Sequence, residues 1–184
     1  MRFITKDELA VVLRHALKAS RRDHLIILLS AQHGLRRSEV AALTMADIEG
    51  GMLVADRRKG SNKTTHPLLA ASNLLFDELR ALTYYLNERR AGTDLLFPSS
   101  HGGQLTGRQI ANIVKRYVLA AGLPKELAHP HALKHYTGSY LCRQGMGVEF
   151  VKQYLGHKDI KNTIIYLDIS DAEASAKAQE IFNV

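Results

Sequence analysis

The chain has 184 residues, 46% of them hydrophobic, so it can bury one core but leaves no room for a second large domain. Its 25 Lys and Arg against 18 Asp and Glu give a net charge of +7, which favours a polyanionic partner without separating DNA from RNA or acidic lipid. A single cysteine excludes an intramolecular disulfide, and no apolar run approaches the roughly 20 residues of a membrane span, so we expect a soluble cytoplasmic protein.

Helix caps and apolar spacing predict mostly helices in the first half of the chain, with one small β element. Thr5 and Glu8 form a capping-box pattern before the first helix, and Gly34 stands where a helix end needs a left-handed residue. Gly50 and Gly51 interrupt the helical pattern before two short extended segments that flank a polar turn. The predicted elements are helices over residues 6–19, 22–32 and 38–43 and a β-hairpin of residues 52–54 and 64–68.

The second half is predicted to be helical, apart from a Gly- and Ser-rich loop over residues 92–107 that we expect at the surface. Its apolar stripes, at three- and four-residue spacing, are interpreted as core packing. Four tyrosines on or beside helical stripes are interpreted as core or partly buried packing: Tyr84, Tyr85, Tyr117 and Tyr154. The predicted helices cover residues 72–90, 110–121, 131–144, 148–155, 162–168 and 171–182.

Four short motifs follow one another along the chain, and together they contain the groups needed to break DNA without a metal. That chemistry requires a nucleophile, cations around the phosphate and an acid for the departing oxygen. In this order and spacing the motifs resemble the signature boxes of the tyrosine recombinases, the phage-integrase family, over residues 5–170. The motifs are Gly34-Leu35-Arg36-Arg37-Ser38-Glu39, Lys59-Gly60, His131-Ala132-Leu133-Lys134-His135, and Leu155-Gly156-His157 with Tyr166 nine residues further on.

The resemblance implies a mainly α catalytic domain with a small antiparallel β-hairpin or sheet, which cleaves and rejoins DNA through a 3′-phosphotyrosine at Tyr166. Of the seven tyrosines, Tyr166 alone follows a Leu-Gly-His motif at the family's spacing, nine residues after His157. The implied partner is double-stranded DNA, bound by a homotetramer and, in some systems, by accessory DNA-bending proteins. No metal or nucleotide cofactor is implied. Such a protein acts in the cytoplasm, on a bacterial nucleoid or as a phage product in its host.

The resemblance also implies roles for the matching residues. Arg36 would clamp the scissile phosphate, because its planar fork can bond two oxygens. Glu39 would orient its neighbours, although an i,i+3 ion pair explains the spacing equally well. Lys59 would protonate the leaving 5′ oxygen, with nearby Lys63 as the alternative for this role. His131 would take part in proton transfer near the nucleophile, as suits a side chain that titrates near neutrality.

Lys134 departs from the family pattern, which has an arginine at this position. A lysine keeps the positive charge but loses the bidentate fork, so we expect slow catalysis. One alternative is therefore an inactive DNA-binding regulator of the same fold. The other is a type IB topoisomerase, which shares the phosphotyrosine chemistry without exchanging strands between sites. The compact spacing of the motifs, including His157 of the third box, favours a recombinase.

Basic residues beside the motifs are expected to contact DNA phosphates, namely Arg37, Lys63 and Lys158. The three histidines within residues 129–135 raise the alternative of a zinc site, but no cysteine or clustered carboxylate completes a ligand set. We expect residues 1–184 to form a single catalytic domain without the N-terminal DNA-binding domain that family members usually carry. The chain is then either part of a longer protein or similar to the single-domain inverters of fimbrial genes.

Overall fold

The computed structural model describes residues 2–57, 61–89 and 92–167, together with residues 179 and 182. In this part of the chain, none of the helices is both long enough and apolar enough to span a membrane. The helices are α1 (Lys6–Ala19), α2 (Arg21–His33), α3 (Arg37–Ala42), α4 (Glu78–Glu88), α5 (Gly107–Ala120), α6 (Pro130–Arg143), α7 (Val148–Tyr154) and α8 (Lys161–Ile164), and the strands are β1 (Met52–Ala55) and β2 (Thr64–Pro67).

Helix α2 forms the centre of the main core. Every residue from Leu25 to Ala31 is buried, as expected for a helix that is apolar on most of its faces. Helices α1, α4 and α6 pack around it, and α5 packs against α1 and α3. A second, smaller apolar cluster joins Phe3 near the start of the chain to Val151, Leu155 and Tyr166. These two clusters hold the segments that line the candidate site.

The predicted β-hairpin is present. Strands β1 and β2 pair antiparallel, with Val54 opposite Thr65 and Ala55 opposite Thr64. The residues of β1 alternate in burial, and Leu53 and Ala55 point into the core. The hairpin turn that contains Lys59 lies outside the described residues.

Two helix starts illustrate where local signals succeed and fail. The capping box of Thr5 and Glu8 starts α1 as predicted, with both reciprocal hydrogen bonds formed. The helix predicted over residues 72–90 instead begins at Glu78, because Asp77 caps it by accepting a hydrogen bond from the Arg80 amide. The prediction followed the leucine spacing through residues that form turns ahead of this cap.

The loop over residues 92–107 was predicted to lie at the surface, and this is wrong for its first part. Leu96 and Phe97 are fully buried, and the Leu96 amide donates a hydrogen bond to the Leu43 carbonyl over 2.7 Å. Tyr84, interpreted as core or partly buried, lies outside the core: it is 46% exposed, with the Arg21 guanidinium over its ring. The loop therefore contributes to the core, whereas this tyrosine does not.

The segment around Tyr166 is shorter as a helix than predicted. Helix α8 ends at Ile164, so Tyr166 lies in the turn that follows, where its amide donates to the Thr163 carbonyl over 3.0 Å. The helix predicted over residues 171–182 falls outside the described part of the chain, apart from residues 179 and 182.

Candidate active site

One cleft of about 240 Å³ collects side chains from separate parts of the chain. The α2–α3 turn, Ser61, α6 and the segment from His157 to Tyr166, which includes α8, all contribute to it. Of the six predicted catalytic residues, Lys59 lies outside the described part of the chain. The other five line the cleft: Arg36, His131, Lys134, His157 and Tyr166.

Arg36 lines the cleft, and its described hydrogen-bond partners include Glu39 and Ser61. Glu39 accepts hydrogen bonds from the Arg36 amide and from its Nη1, both over 2.8 Å, while Nη2 donates to the Ser61 hydroxyl over 3.0 Å. Glu39 thus makes the i,i+3 ion pair and orients Arg36 at the same time. Burial alone would raise the pKa of Glu39, but the Arg36 amide and the two guanidiniums of Arg57 and Arg36 hold the pKa below its usual value.

Arg57 was not predicted as a site residue, yet it anchors the Arg36 turn. Its fully buried guanidinium donates to the carbonyls of His33 and Gly34 over 2.8 and 2.9 Å and to Glu39 over 3.2 Å. Its Nε donates to the Thr64 hydroxyl. The sequence contains a signal for this position, because side chains alternate between the two faces of β1. Leu53 and Ala55 point inward, and continuing the alternation places Arg57 on the same inward face.

Lys134 is withdrawn onto the backbone. Its side-chain nitrogen donates to the carbonyl of Gly34 over 3.2 Å and to that of Leu155 over 3.5 Å, and the residue is 5% exposed. Burial, reinforced by the charges of Arg57 and Arg36, lowers the pKa of Lys134 to about 7. Near neutral pH this position is therefore only partly charged.

His157 is held as a neutral imidazole. Its Nδ1 lies 3.0 Å from the Thr163 hydroxyl, and burial, followed by the charges of Lys134 and Arg36, lowers its pKa to about 4. The preceding Gly156 has φ 67°, and a Cβ there would lie 2.6 Å from the Asn62 carbonyl oxygen. Glycine is thus required for the hairpin stem to approach the turn that carries His157.

Tyr166 is 4% exposed and packs tightly against α6. Its ring fills the space above Gly138, where an added Cβ would lie 2.3 Å from the tyrosine Cε2. Phe3 makes an edge contact with the same ring. Burial raises the pKa of Tyr166 to about 12. The hydroxyl oxygen lies 3.2 Å from Nδ1 of His135, a residue of the His131–His135 motif that was not predicted to belong to the site.

Two of the predicted DNA-contacting residues lie at or beside the cleft, and the third lines a different pocket. Lys158 is exposed at the rim of the cleft, and Arg37 is exposed next to Arg36, with its side chain against Gly107. Lys63 is also exposed but lines a separate pocket between β2 and α7. Among the described residues, the histidines of 129–135 do not form a group of metal-binding side chains.

The mainly helical fold with its two-stranded antiparallel sheet is that of tyrosine recombinase catalytic domains. The sequence profile of the phage integrase family matches residues 2–173, and the chain belongs to this family. It is 33% identical over 152 residues to the type 1 fimbriae regulatory protein FimE of Escherichia coli K12, covering 79% of this chain and 73% of that protein. FimB from the same strain is 32% identical over 172 residues, covering 89% and 82%.

The Xer recombinases are similar over a part of their length. The tyrosine recombinase XerA of Thermococcus kodakarensis is 30% identical, with 96% of this chain and 61% of that protein covered. A crystal structure of XerA superposes with a TM-score of 0.80 at 21% identity, covering 99% of this chain and 65% of the other. A pre-cleavage complex of XerH bound to its difH substrate gives a TM-score of 0.77 at 23% identity, covering 96% and 53%. At these identities the structural match shows the fold.

Proposed function

We propose that Tyr166 is the nucleophile with which this site-specific recombinase cleaves and rejoins double-stranded DNA. The supporting observation is that Tyr166 shares one cleft with Arg36, Lys134 and His157. A buried tyrosine beside two basic side chains and a neutral histidine suits attack on a phosphodiester, whose charge must be stabilised as it redistributes.

Each cleft residue has a task in the proposed cleavage step. The Tyr166 oxygen bonds to phosphorus and the P–O5′ bond breaks, which leaves a 3′-phosphotyrosine and a free 5′ hydroxyl. Arg36 and protonated Lys134 bind the non-bridging oxygens. With Nδ1 of His157 accepting from the Thr163 hydroxyl, its Nε2–H is the donor available to the phosphate. A 5′ hydroxyl from the partner strand reverses the step, so a phosphodiester is regained without an external energy source.

Lys59 is proposed as the acid that protonates the departing 5′ oxygen. It lies two residues after Arg57 and two before Ser61, and both of these residues contact the Arg36 turn. The alternative, Lys63, lies in the pocket away from the cleft. This difference favours Lys59. His131, exposed at the start of α6, is proposed to assist proton transfer at the cleft.

The proposed partner is duplex DNA, which the basic side chains of Arg37 and Lys158 would contact on either side of the scissile phosphate. The net charge of +7 supports this, as does the XerH complex with its difH substrate. By family resemblance we propose a tetramer on DNA, acting in the cytoplasm with accessory DNA-bending proteins where the site requires them. We also propose that residues 1–184 form one catalytic domain.

A second candidate function is DNA-binding regulation without cleavage. The position of Lys134 favours it, because its amine is hydrogen-bonded to two carbonyls and is only partly protonated near pH 7. The similar FimE and FimB proteins are named as regulatory proteins. The two functions differ in whether a covalent protein–DNA bond forms.

Covalent capture tests the proposal. Nicked duplexes of randomised sequence are incubated with the protein in the presence of a chelator, and DNA that stays attached after detergent treatment is sequenced. Tyr166→Phe is the matched control, because it removes one oxygen and keeps the packing over Gly138. We expect enriched adducts that are absent with Tyr166→Phe. DNA binding without adducts would instead support the regulator, and relaxation of plasmids without recombinant products would support a topoisomerase.

A further inference from the structure

A hydrogen bond joins Tyr166 to a histidine outside the predicted catalytic set. Nδ1 of His135 lies 3.2 Å from the Tyr166 hydroxyl oxygen, and the ring centroids are 5.7 Å apart in an edge arrangement. Both side chains line the cleft that contains Arg36 and His157. The histidine therefore contacts the oxygen that would attack phosphorus.

The surroundings hold this pair in one geometry. His135 is half-buried on α6, and the Phe3 ring packs against both partners, with its centroid 6.1 Å from each. One turn further along α6, Gly138 leaves the space that the phenol ring occupies. A contact that is positioned before the reaction loses little freedom when the bond to phosphorus forms.

His131 occupies a different position on the same helix. It lies exposed in the first turn of α6, and its ring centroid is 6.4 Å from that of His135. Among the described residues, the side-chain partner of the Tyr166 hydroxyl is His135. The histidine that matches the family's motif and the histidine that contacts the phenol are thus two different residues.

We propose that His135 is a further catalytic residue, which accepts the phenolic proton as Tyr166 attacks the phosphate; this rests on Tyr166 being the nucleophile. In the neutral imidazole with its proton on Nε2, the Tyr166 hydroxyl donates to Nδ1. As the bond from oxygen to phosphorus forms, the proton moves to Nδ1, and the departing 5′ oxygen takes a proton from the lysine acid, Lys59. During rejoining, His135 returns the proton to the phenol oxygen.

The phenol needs such an acceptor because burial raises the pKa of Tyr166 to about 12. Without help, only about one phenol in 10⁵ is ionised at pH 7. Burial, followed by the nearby groups of His131, His129 and Lys134, lowers the pKa of His135 from its ordinary value. At pH 7 the imidazole is therefore neutral and able to accept a proton.

Two substitutions separate proton acceptance from positioning. In His135→Asn the amide oxygen can take the place of Nδ1, so it accepts the hydrogen bond but cannot take the proton; His135→Ala removes both. We expect both variants to form the covalent adduct about 100-fold more slowly on a nicked duplex of the captured sequence, with unchanged affinity in gel shifts. His101→Gln, at an exposed loop position, is the control with unchanged rate. Full activity in His135→Asn would reduce the residue to a positioning role and overturn the proposal.

A second arm changes the acidity of the nucleophile. Replacing Tyr166 with a fluorotyrosine yields a more acidic phenol, which depends less on a base. We expect the defect of His135→Ala to shrink by about tenfold in this background, whereas a purely structural defect would persist. If fluorotyrosine at position 166 instead reduces the rate defect of a His131→Ala variant, His131 is the proton acceptor. If Tyr166→Phe still forms adducts, Tyr166 is not the nucleophile. This outcome differs from the one that would refute His135 as the proton acceptor, so the two proposals are tested separately.

Discussion

Lys134 and Arg57 donate hydrogen bonds to the same backbone oxygen, that of Gly34, over 3.2 and 2.9 Å. Both residues are buried, so water does not screen the repulsion between their charges. Burial, reinforced by the charges of Arg57 and Arg36, lowers the pKa of Lys134 to about 7. Burial lowers the pKa of Arg57 as well, but a guanidinium keeps its proton near neutral pH, so Lys134 is the partner that loses charge. The charge at the position where the family has arginine therefore depends on pH.

Replacing Lys134 with arginine is expected to speed cleavage. The longer guanidinium stays charged and can reach the phosphate with two donors, whereas loss of a preorganised donor costs enzymes about 2.7–4 kcal/mol. We expect Lys134→Arg to raise the single-turnover rate of adduct formation about tenfold, and Lys134→Met to lower it. Equal rates in the Lys134→Met and unchanged proteins would show that this side chain takes no part.

The same lysine predicts a pH dependence of cleavage. The ammonium binds phosphate and the neutral amine does not, so activity should fall as pH rises past the pKa of Lys134, about 7 in the free protein. Bound phosphate favours the charged form and moves this fall to higher pH. Rates of adduct formation between pH 6 and 9 check the prediction. In Lys134→Arg the rate should not fall over this pH range. Identical pH profiles for Lys134→Arg and the unchanged protein would contradict the prediction.

Gly138 is expected to be essential for the position of Tyr166, the proposed nucleophile. Alanine is the better helix former by about 1 kcal/mol, so Gly138→Ala should not unfold α6. Its Cβ would overlap the Tyr166 ring, however, at 2.3 Å from Cε2. We expect adduct formation to be lost while DNA binding remains. Gly103→Ala, where the nearest atom is at 3.9 Å, is the matched control. Retained cleavage in Gly138→Ala would mean that Tyr166 reacts from another position.

Arg57 is expected to contribute strongly to stability. Arg57→Met leaves the Glu39 carboxylate buried without this ion pair, and such losses cost about 3–5 kcal/mol. Denaturant unfolding measures the change, with exposed Arg14→Met as a control that should shift stability by less than about 0.5 kcal/mol. A loss in Arg57→Met no larger than in Arg14→Met would contradict the anchoring role.

Local sequence signals located most of the elements, because a cap such as Thr5 or a left-handed Gly34 acts on its immediate neighbours. The motifs also identified five of the residues that line the described part of the cleft: Arg36, His131, Lys134, His157 and Tyr166. Arg57, His135 and Gly138 were missed because their partners are distant in the chain. The alternation of β1 could have placed Arg57 on the inward face, but the partners of all three residues depend on how the elements pack, which the sequence pattern does not report.

The contact between Phe3 and Tyr166 joins nearly the first and last described positions of the domain. A contact so distant in sequence forms late, after the intervening segments have folded. On the ribosome, a chain that ends before α8 would have its first helices and the Arg36 turn, but no tyrosine to place over Gly138. With Tyr166 as the proposed nucleophile, nascent chains that lack it are expected to be harmless to DNA, and strand cleavage should become available only after this tyrosine has been synthesised and placed over Gly138.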